Sequence, residues 1–127
     1  MDDDTPAGEP TGDPPGGWLD ALPVHSADLL TLLDADGTIR YESLAIETLY
    51  GYDQDALVGQ PVAEYIHPDD RERVLDAFQT LQAATDHQVE NVEYRHRVAG
   101  DDHLWVESVG SSTPTPEGQY VINSRDI

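Results

Sequence analysis

Charge is the strongest constraint on what this chain can fold into. Its 127 residues carry 26 Asp and Glu against six basic side chains, a formal net charge of −20 at pH 7. All six are arginine (Arg40, Arg71, Arg73, Arg95, Arg97 and Arg125), and lysine is absent. So much like charge on a small body opposes the compact state. The acids run along the whole chain and are not gathered in a tail, the pattern expected of a halophile's cytoplasm. At molar salt the Debye length falls to about 3 Å, and most of the repulsion is screened. The same charge turns away nucleic acids and anionic membranes, because binding either takes clustered basic residues.

The length suits one domain, which can bury roughly two thirds of its unfolded surface. Cysteine is absent, which excludes disulfides, cysteine-bound zinc, iron–sulfur clusters and thiol catalysis. No apolar run approaches the roughly 20 residues of a membrane span. Met1 is followed by Asp2, Asp3 and Asp4, unlike a secretory signal. A cytoplasmic chain without direct membrane insertion is expected.

Residues 1–17 (MDDDTPAGEPTGDPPGG) hold no large apolar residue beyond Met1 and read as a disordered acidic leader or linker. Trp18, Leu19 and Leu22 suit one short helical turn that Pro23 ends, a cap over 18–25. The folded domain is expected over 26–127. Within it, Asp34-Ala35-Asp36-Gly37 separates an apolar run at 29–33 from an alternating one at 38–42, a hairpin signal. Ser43 can cap a helix over 44–50 that Gly51 stops. Asp53 can cap a further turn through Leu57, stopped by Gly59 and Pro61, and 62–66 is another short helical piece. Pro68 then breaks the chain, and Asp69 and Asp70 open the longest helix, to about Gln82. Its Val74, Leu75, Phe78 and Leu81 form one apolar stripe. Three strands are expected after it. In the first, Glu90, Val92, Tyr94, His96 and Val98 share one face. The second spans 103–112 after a Gly100-Asp101-Asp102 turn, and the third spans 119–125. This is an α+β chain with a mostly antiparallel sheet.

At this point the sequence resembles a PAS domain over residues 26–127. The resemblance rests on "LLTLLDADGTIRY", "LYGYDQDALVGQPVAEYIHPDDRERV", "VEYRHRVAGDDHLWVE" and "YVINSRDI", in that order. It implies a five-stranded antiparallel sheet in spatial order 2-1-5-4-3, with short helices and one longer helix packed on one face. It also implies a sensory or interaction module within a larger protein. Members often continue from the last strand with Asp-Ile-Thr into a signalling helix, and Asp126-Ile127 match. With the composition, this points to part of a haloarchaeal sensor histidine kinase or a transducer-like (HTR-like) protein in a two-component type of system.

Each candidate for chemistry has a structural account. His67-Pro68-Asp69-Asp70 could supply a base, but its Pro and Asp suit a helix entry, and the motif is a fold hallmark of the family the chain resembles. Asp34 to Gly37 fails as an EF-hand, since the required carboxylates would fall at Leu32 and Ser43. His25, His67, His87, His96 and His103 show no helical i, i+4 pair, so no metal site is expected. Ser111 and Ser112 have no His/Asp relay, and no glycine-rich phosphate loop is present. Trp105 reads as packing more readily than as a platform for a ring cofactor. No catalytic function is expected. The resemblance bears on cofactors as well: flavin or chromophore linked through cysteine is excluded, and haem is disfavoured because 71–82 carries no histidine. An unknown small organic ligand stays open.

Two functions follow. In one, a cavity lined by Leu49, Val62, Tyr65, Ile66, Val74, Phe78, Val92, Tyr94, His96, Val106 and Asn123 holds a small molecule, and the last strand relays its presence to an output domain. In the other, the same residues fill the core of a ligand-free relay that dimerises through the N-terminal segment and the outer sheet face. Both inherit the charge. Circular dichroism should show a native spectrum in molar KCl and its loss in dilute buffer; an unchanged spectrum without salt would refute a salt requirement.

Overall fold

The computed structural model describes residues 28–127, so the leader at 1–17 and the cap at 18–25 lie outside the described residues. Strands β1 (Leu29–Leu33) and β2 (Ile39–Glu42) form the expected antiparallel hairpin. Gly37 sits at φ +88°, a conformation that glycine adopts without a Cβ penalty. Its N–H donates to the Asp34 carbonyl at 2.9 Å. The hairpin is irregular: Tyr41 pairs with Leu32 but Ile39 pairs with Leu33, so Arg40 is an extra residue in the ladder. Strict alternation over 38–42 therefore fails. Ile39 and Glu42 are both buried, while Arg40 is exposed.

Helix α1 (Ala45–Leu49) ends as the sequence suggests. Gly51, at φ +83°, and Tyr50 both donate to the Ile46 carbonyl, at 3.0 and 2.9 Å. Its start differs: no side chain caps it. The Ser43 hydroxyl instead accepts the Leu30 N–H at 3.0 Å and fastens the helix entry to β1. The segment from Asp53 to Gly59 forms successive turns, and Leu57 is buried among them. A 3₁₀ helix, Val62–Tyr65, follows.

Helix α2 (Pro68–Ala83) is the longest. Pro68 stands at its first position, where a missing N–H costs nothing. The cap is His67, whose Nδ1 accepts the Asp69 N–H at 3.1 Å, and neither Asp69 nor Asp70 serves. Asp70 is drawn into an ion pair. One of its oxygens accepts the Arg95 N–H and Nε at 2.9 Å each, and the other accepts Arg95 Nη2 at 2.8 Å. These bonds hold its carboxyl well below the usual carboxylate range, with the Arg95 side chain the largest cause.

Strands β3 (Val89–Arg97), β4 (His103–Ser111) and β5 (Tyr120–Asp126) complete a five-stranded sheet. Its order is β2-β1-β5-β4-β3, with all neighbours antiparallel. The inner face packs Leu29, Val106 and Tyr94 against Ile46, Val74 and Phe78 of the helices. Leu32 and Val121 form a smaller cluster with Tyr41 and Val109 on the outer face. Among the described residues no helix is long and apolar enough to cross a membrane.

Asp70→Ala should destabilise the fold by roughly 2 kcal/mol, the scale of buried hydrogen bonds to a charged group. Arg73→Ala should change it by less than about 0.5 kcal/mol, since Arg73 is exposed and lies 3.6 Å from the same carboxylate. Urea denaturation of both variants tests the contrast.

Candidate functional site

A cavity of about 70 Å³ lies between α2 and the inner face of the sheet. The α2 stripe Val74, Ala77, Phe78 and Leu81 roofs it, with Val62 and Ile66 at its side. Gly110 lies in the floor, where a Cβ would come within 2.8 Å of Leu81. Glycine there lets the end of α2 sit close to the sheet.

The rest of the floor is polar. Every strand contributes a hydroxyl or carboxyl, in spatial order Glu42, Thr31, Ser124, Ser108 and Tyr94, with Glu90 a second one from β3. The Tyr94 hydroxyl is 2.8 Å from Ser108 Oγ, which is 2.6 Å from Ser124 Oγ. Thr31 Oγ1 donates to the Glu42 carboxylate. Glu42 as a whole is only 3% exposed. Burial pushes its pKa up to about 7, although the Thr31 bond pulls the other way. Tyr50 is equally buried and stacks on His96 with ring centroids 3.9 Å apart. Among the described residues its hydroxyl meets no partner in hydrogen-bond geometry. Burial, then the neighbouring Tyr94 and Glu42, raise its pKa well above the ordinary value, although the nearby Ser124 hydroxyl pulls it down. Burial lowers the His96 pKa to about 4, so the ring is neutral at pH 7. Its Nδ1 lies 2.7 Å from the Arg97 carbonyl, which only accepts, so Nδ1 carries the proton and Nε2 is an acceptor.

Of the residues proposed from sequence, Val62, Ile66, Val74, Phe78, Val92, Tyr94 and His96 line this cavity. Leu49 is a half-buried neighbour of the core. Val106 is fully buried core, and Ser108, two residues on, takes the lining position. Tyr65 packs edge-on against Tyr52 at 5.9 Å and beneath the Arg97 guanidinium at 4.8 Å. Asn123 has the opposite parity to the lining residues Ile122 and Ser124, and pairs with Leu30 and Val109. The reading missed Glu42, Thr31, Tyr50, Ser108 and Ser124. Correct β5 parity would have indicated Ser124.

The other candidates have local roles. Ser112 Oγ accepts the Gln88 N–H at 2.8 Å and donates to the Asp86 carbonyl at 3.0 Å. Ser111 Oγ accepts the Thr113 N–H at 3.2 Å. Trp105, 48% exposed, lies under the Arg95 guanidinium at 5.1 Å and lines no part of the cavity.

The Glu42 shift fixes a sign. The carboxyl holds its proton more tightly folded than unfolded, so its contribution to stability falls as pH rises from about 4.5 to about 7. Glu42→Gln should therefore leave stability unchanged at pH 4 and raise it by about 3 kcal/mol at pH 8. Thermal or urea melts of the two proteins at both pH values measure the difference.

The comparisons agree with this architecture. The family model described as PAS fold matches residues 35–123. The crystal structure of the PAS domain of an HTR-like protein from Haloarcula marismortui is similar at TM-score 0.68 and 24% identity, covering 87% of this chain and 89% of that one. A PAS domain from Colwellia psychrerythraea is similar at TM-score 0.66 and 23% identity, covering 80% and 86%. The PAS-B domain of Drosophila melanogaster Cycle, with bound ethylene glycol, gives TM-score 0.67 and 14% identity, covering 78% and 99%. No curated protein sequence matches the chain. The chain belongs to the PAS family, whose domains are generally sensory and signalling modules, typically without catalysis of their own.

Proposed function

We propose that this domain senses a small molecule held between α2 and the sheet and relays its presence to an output domain. The observation that carries the reading is the polar floor of an otherwise apolar cavity, with the buried Tyr50 hydroxyl left unpartnered among the described residues. Convergent polar groups in an apolar pocket are the usual form of a small-molecule site. The Cycle PAS-B domain holds a molecule as small as ethylene glycol, a size in keeping with about 70 Å³.

The relay follows from topology. Strand β5 lies between β1 and β4, and its Ile122 and Ser124 line the cavity just before Asp126 and Ile127. A ligand moves this strand only if it binds two arrangements with different affinity. We assign the domain to the cytoplasm of a haloarchaeon, within a sensor kinase or transducer-like protein. The acidic, lysine-free composition supports that assignment, and so does the fold shared with the Haloarcula domain.

A second reading is a ligand-free relay, since PAS domains commonly dimerise and pass signals to output domains. Trp105 and Ile127 favour it: both are exposed, and the Ile127 N–H donates to the Trp105 carbonyl at 3.2 Å. They extend the outer face through which, with the N-terminal segment, a homodimer would form. To separate the readings, the protein is purified in high salt and denatured, and the extract is searched by mass spectrometry. A stoichiometric compound is the expected result; an empty extract from a folded sample favours the relay.

A further inference from the structure

Among the described residues the buried Glu42 carboxyl has no basic partner, and this bears on what the cavity accepts. Five titratable side chains line the cavity: Glu42, Glu90, Tyr50, Tyr94 and His96. Helix α2 contributes Val74, Leu75, Ala77, Phe78 and Leu81, with no charge among them. The 3₁₀ helix contributes Val62, and β1, β4 and β5 contribute only apolar or hydroxyl side chains and Gly110. Every arginine is engaged elsewhere. Arg40 pairs with Asp34, Arg95 and Arg73 with Asp70, and Arg125 with Glu107. Arg71 donates to the Ile66 carbonyl at 3.0 Å, and Arg97 covers Tyr65. Among the described residues the lining therefore offers two carboxyls and no cation.

It is also rich in acceptors. The Glu42 carboxyl receives one hydrogen bond, from Thr31. With its Nδ1 proton directed at the Arg97 carbonyl, His96 keeps Nε2 as its acceptor nitrogen, and among the described residues the Tyr50 oxygen meets no partner. An ammonium group is the complement, with three N–H donors, a positive charge and no acceptor. An anion would face two carboxyls with no cation to receive it. A neutral alcohol would leave an ionised Glu42 unpaired in a low-dielectric site. Opposite the polar floor, the α2 roof is hydrocarbon and suits an alkyl tail. The volume of about 70 Å³ admits roughly five to seven heavy atoms, at the 10–15 Å³ that one water needs on this measure.

We propose that the cavity takes a small aliphatic amine, bound as its ammonium with the cation against Glu42 and the alkyl tail beneath α2. This rests on the sensor reading and names its ligand class. Binding needs the ionised carboxylate, so it displaces a proton from Glu42 when that group starts protonated. An aliphatic amine, like lysine, stays cationic to about pH 10, so affinity between pH 6 and pH 8 follows Glu42.

The test uses n-butylammonium, n-butanol and butyrate, titrated into the 127-residue chain in molar KCl and followed by amide NMR shifts of the cavity strands. The wild type and Glu42→Gln are compared at pH 6 and pH 8. Gln preserves the volume and is expected to be the more stable protein at pH 8. The expected result is butylammonium binding about tenfold tighter at pH 8 than at pH 6, because a carboxyl with a pKa near 7 goes from about one tenth to about nine tenths ionised. Glu42→Gln should weaken butylammonium at least tenfold at pH 8 and bind butanol no more weakly than the wild type does, and butyrate should not bind. Butanol binding the wild type as tightly as butylammonium at pH 8, or butylammonium indifferent to Glu42→Gln, overturns the amine assignment and leaves the sensor reading standing. Neither butylammonium nor butanol shifting the cavity resonances of the folded wild type overturns both.

Discussion

The Asp70 carboxylate sets where α2 lies, and the cavity follows from that placement. All three of its short hydrogen bonds go to one residue on β3, Arg95, through the backbone N–H and both arms of the guanidinium. Strand β3 is an edge of the sheet, so this N–H would otherwise be an unpaired donor open to another strand. The chain entering α2 continues the same seam: the His67 N–H donates to the Arg95 carbonyl at 2.9 Å, and Ile66 bridges His96. With its first turn fixed to the edge, α2 runs back over the sheet and turns Val74, Phe78 and Leu81 inward. At its far end the approach is set by Gly110, where any side chain would press on Leu81 and Ile122. One end is held by charge and hydrogen bonds, the other by the absence of a Cβ.

The floor beneath that helix is built against the usual economy of a core. Leucine or valine at Thr31, Glu42, Ser108 and Ser124 would fill the space without polar atoms to satisfy. The serine and tyrosine hydroxyls meet each other, so their polarity costs little. Glu42 and Tyr50 are different, one raised to a near-neutral pKa and the other unpartnered among the described residues. Both line the same cavity, and polar groups converging on an otherwise apolar space are the form that small-molecule sites commonly take.

The strands and the long helix were readable because their signals are local. Gly37 and Gly51 occupy the positive-φ positions their sequence context implies, and the 74, 78, 81 spacing faces the core. The strand order came with the family resemblance. What sequence could not show was parity after a bulge. Period-two reasoning puts Ile39 and Tyr41 on one face, and the extra residue at Arg40 sends Tyr41 to the outer cluster and brings Glu42 inward. Asp70 was missed for a related reason. An aspartate in the first turn of a helix looks like a cap until the partner across 25 residues of chain is known. Ser43 was misassigned in the same way, its hydroxyl being taken by Leu30 across the hairpin. Long-range partners, and not propensity, decided each case.

The carboxylates of this chain divide into two populations that answer to different variables. Those on the surface, such as Glu72 and Asp76 on the outer side of α2, repel through solvent and are quieted by dissolved salt within a few ångströms. Glu42 lies under the helix, where mobile ions do not reach it, and only a proton or a group inside the cavity neutralises it. Glu42 and Asp70 are the two buried acids among the described residues; Asp70 is neutralised by Arg95, so under the proposed function the Glu42 charge is the one that would respond to what the cavity holds. That response has a short path outward. Glu42 accepts from Thr31, Thr31 belongs to β1, and β1 pairs with β5 along its whole length. A change of charge at Glu42 alters the strength of that first hydrogen bond, and so bears directly on the β1–β5 pair at the middle of the sheet.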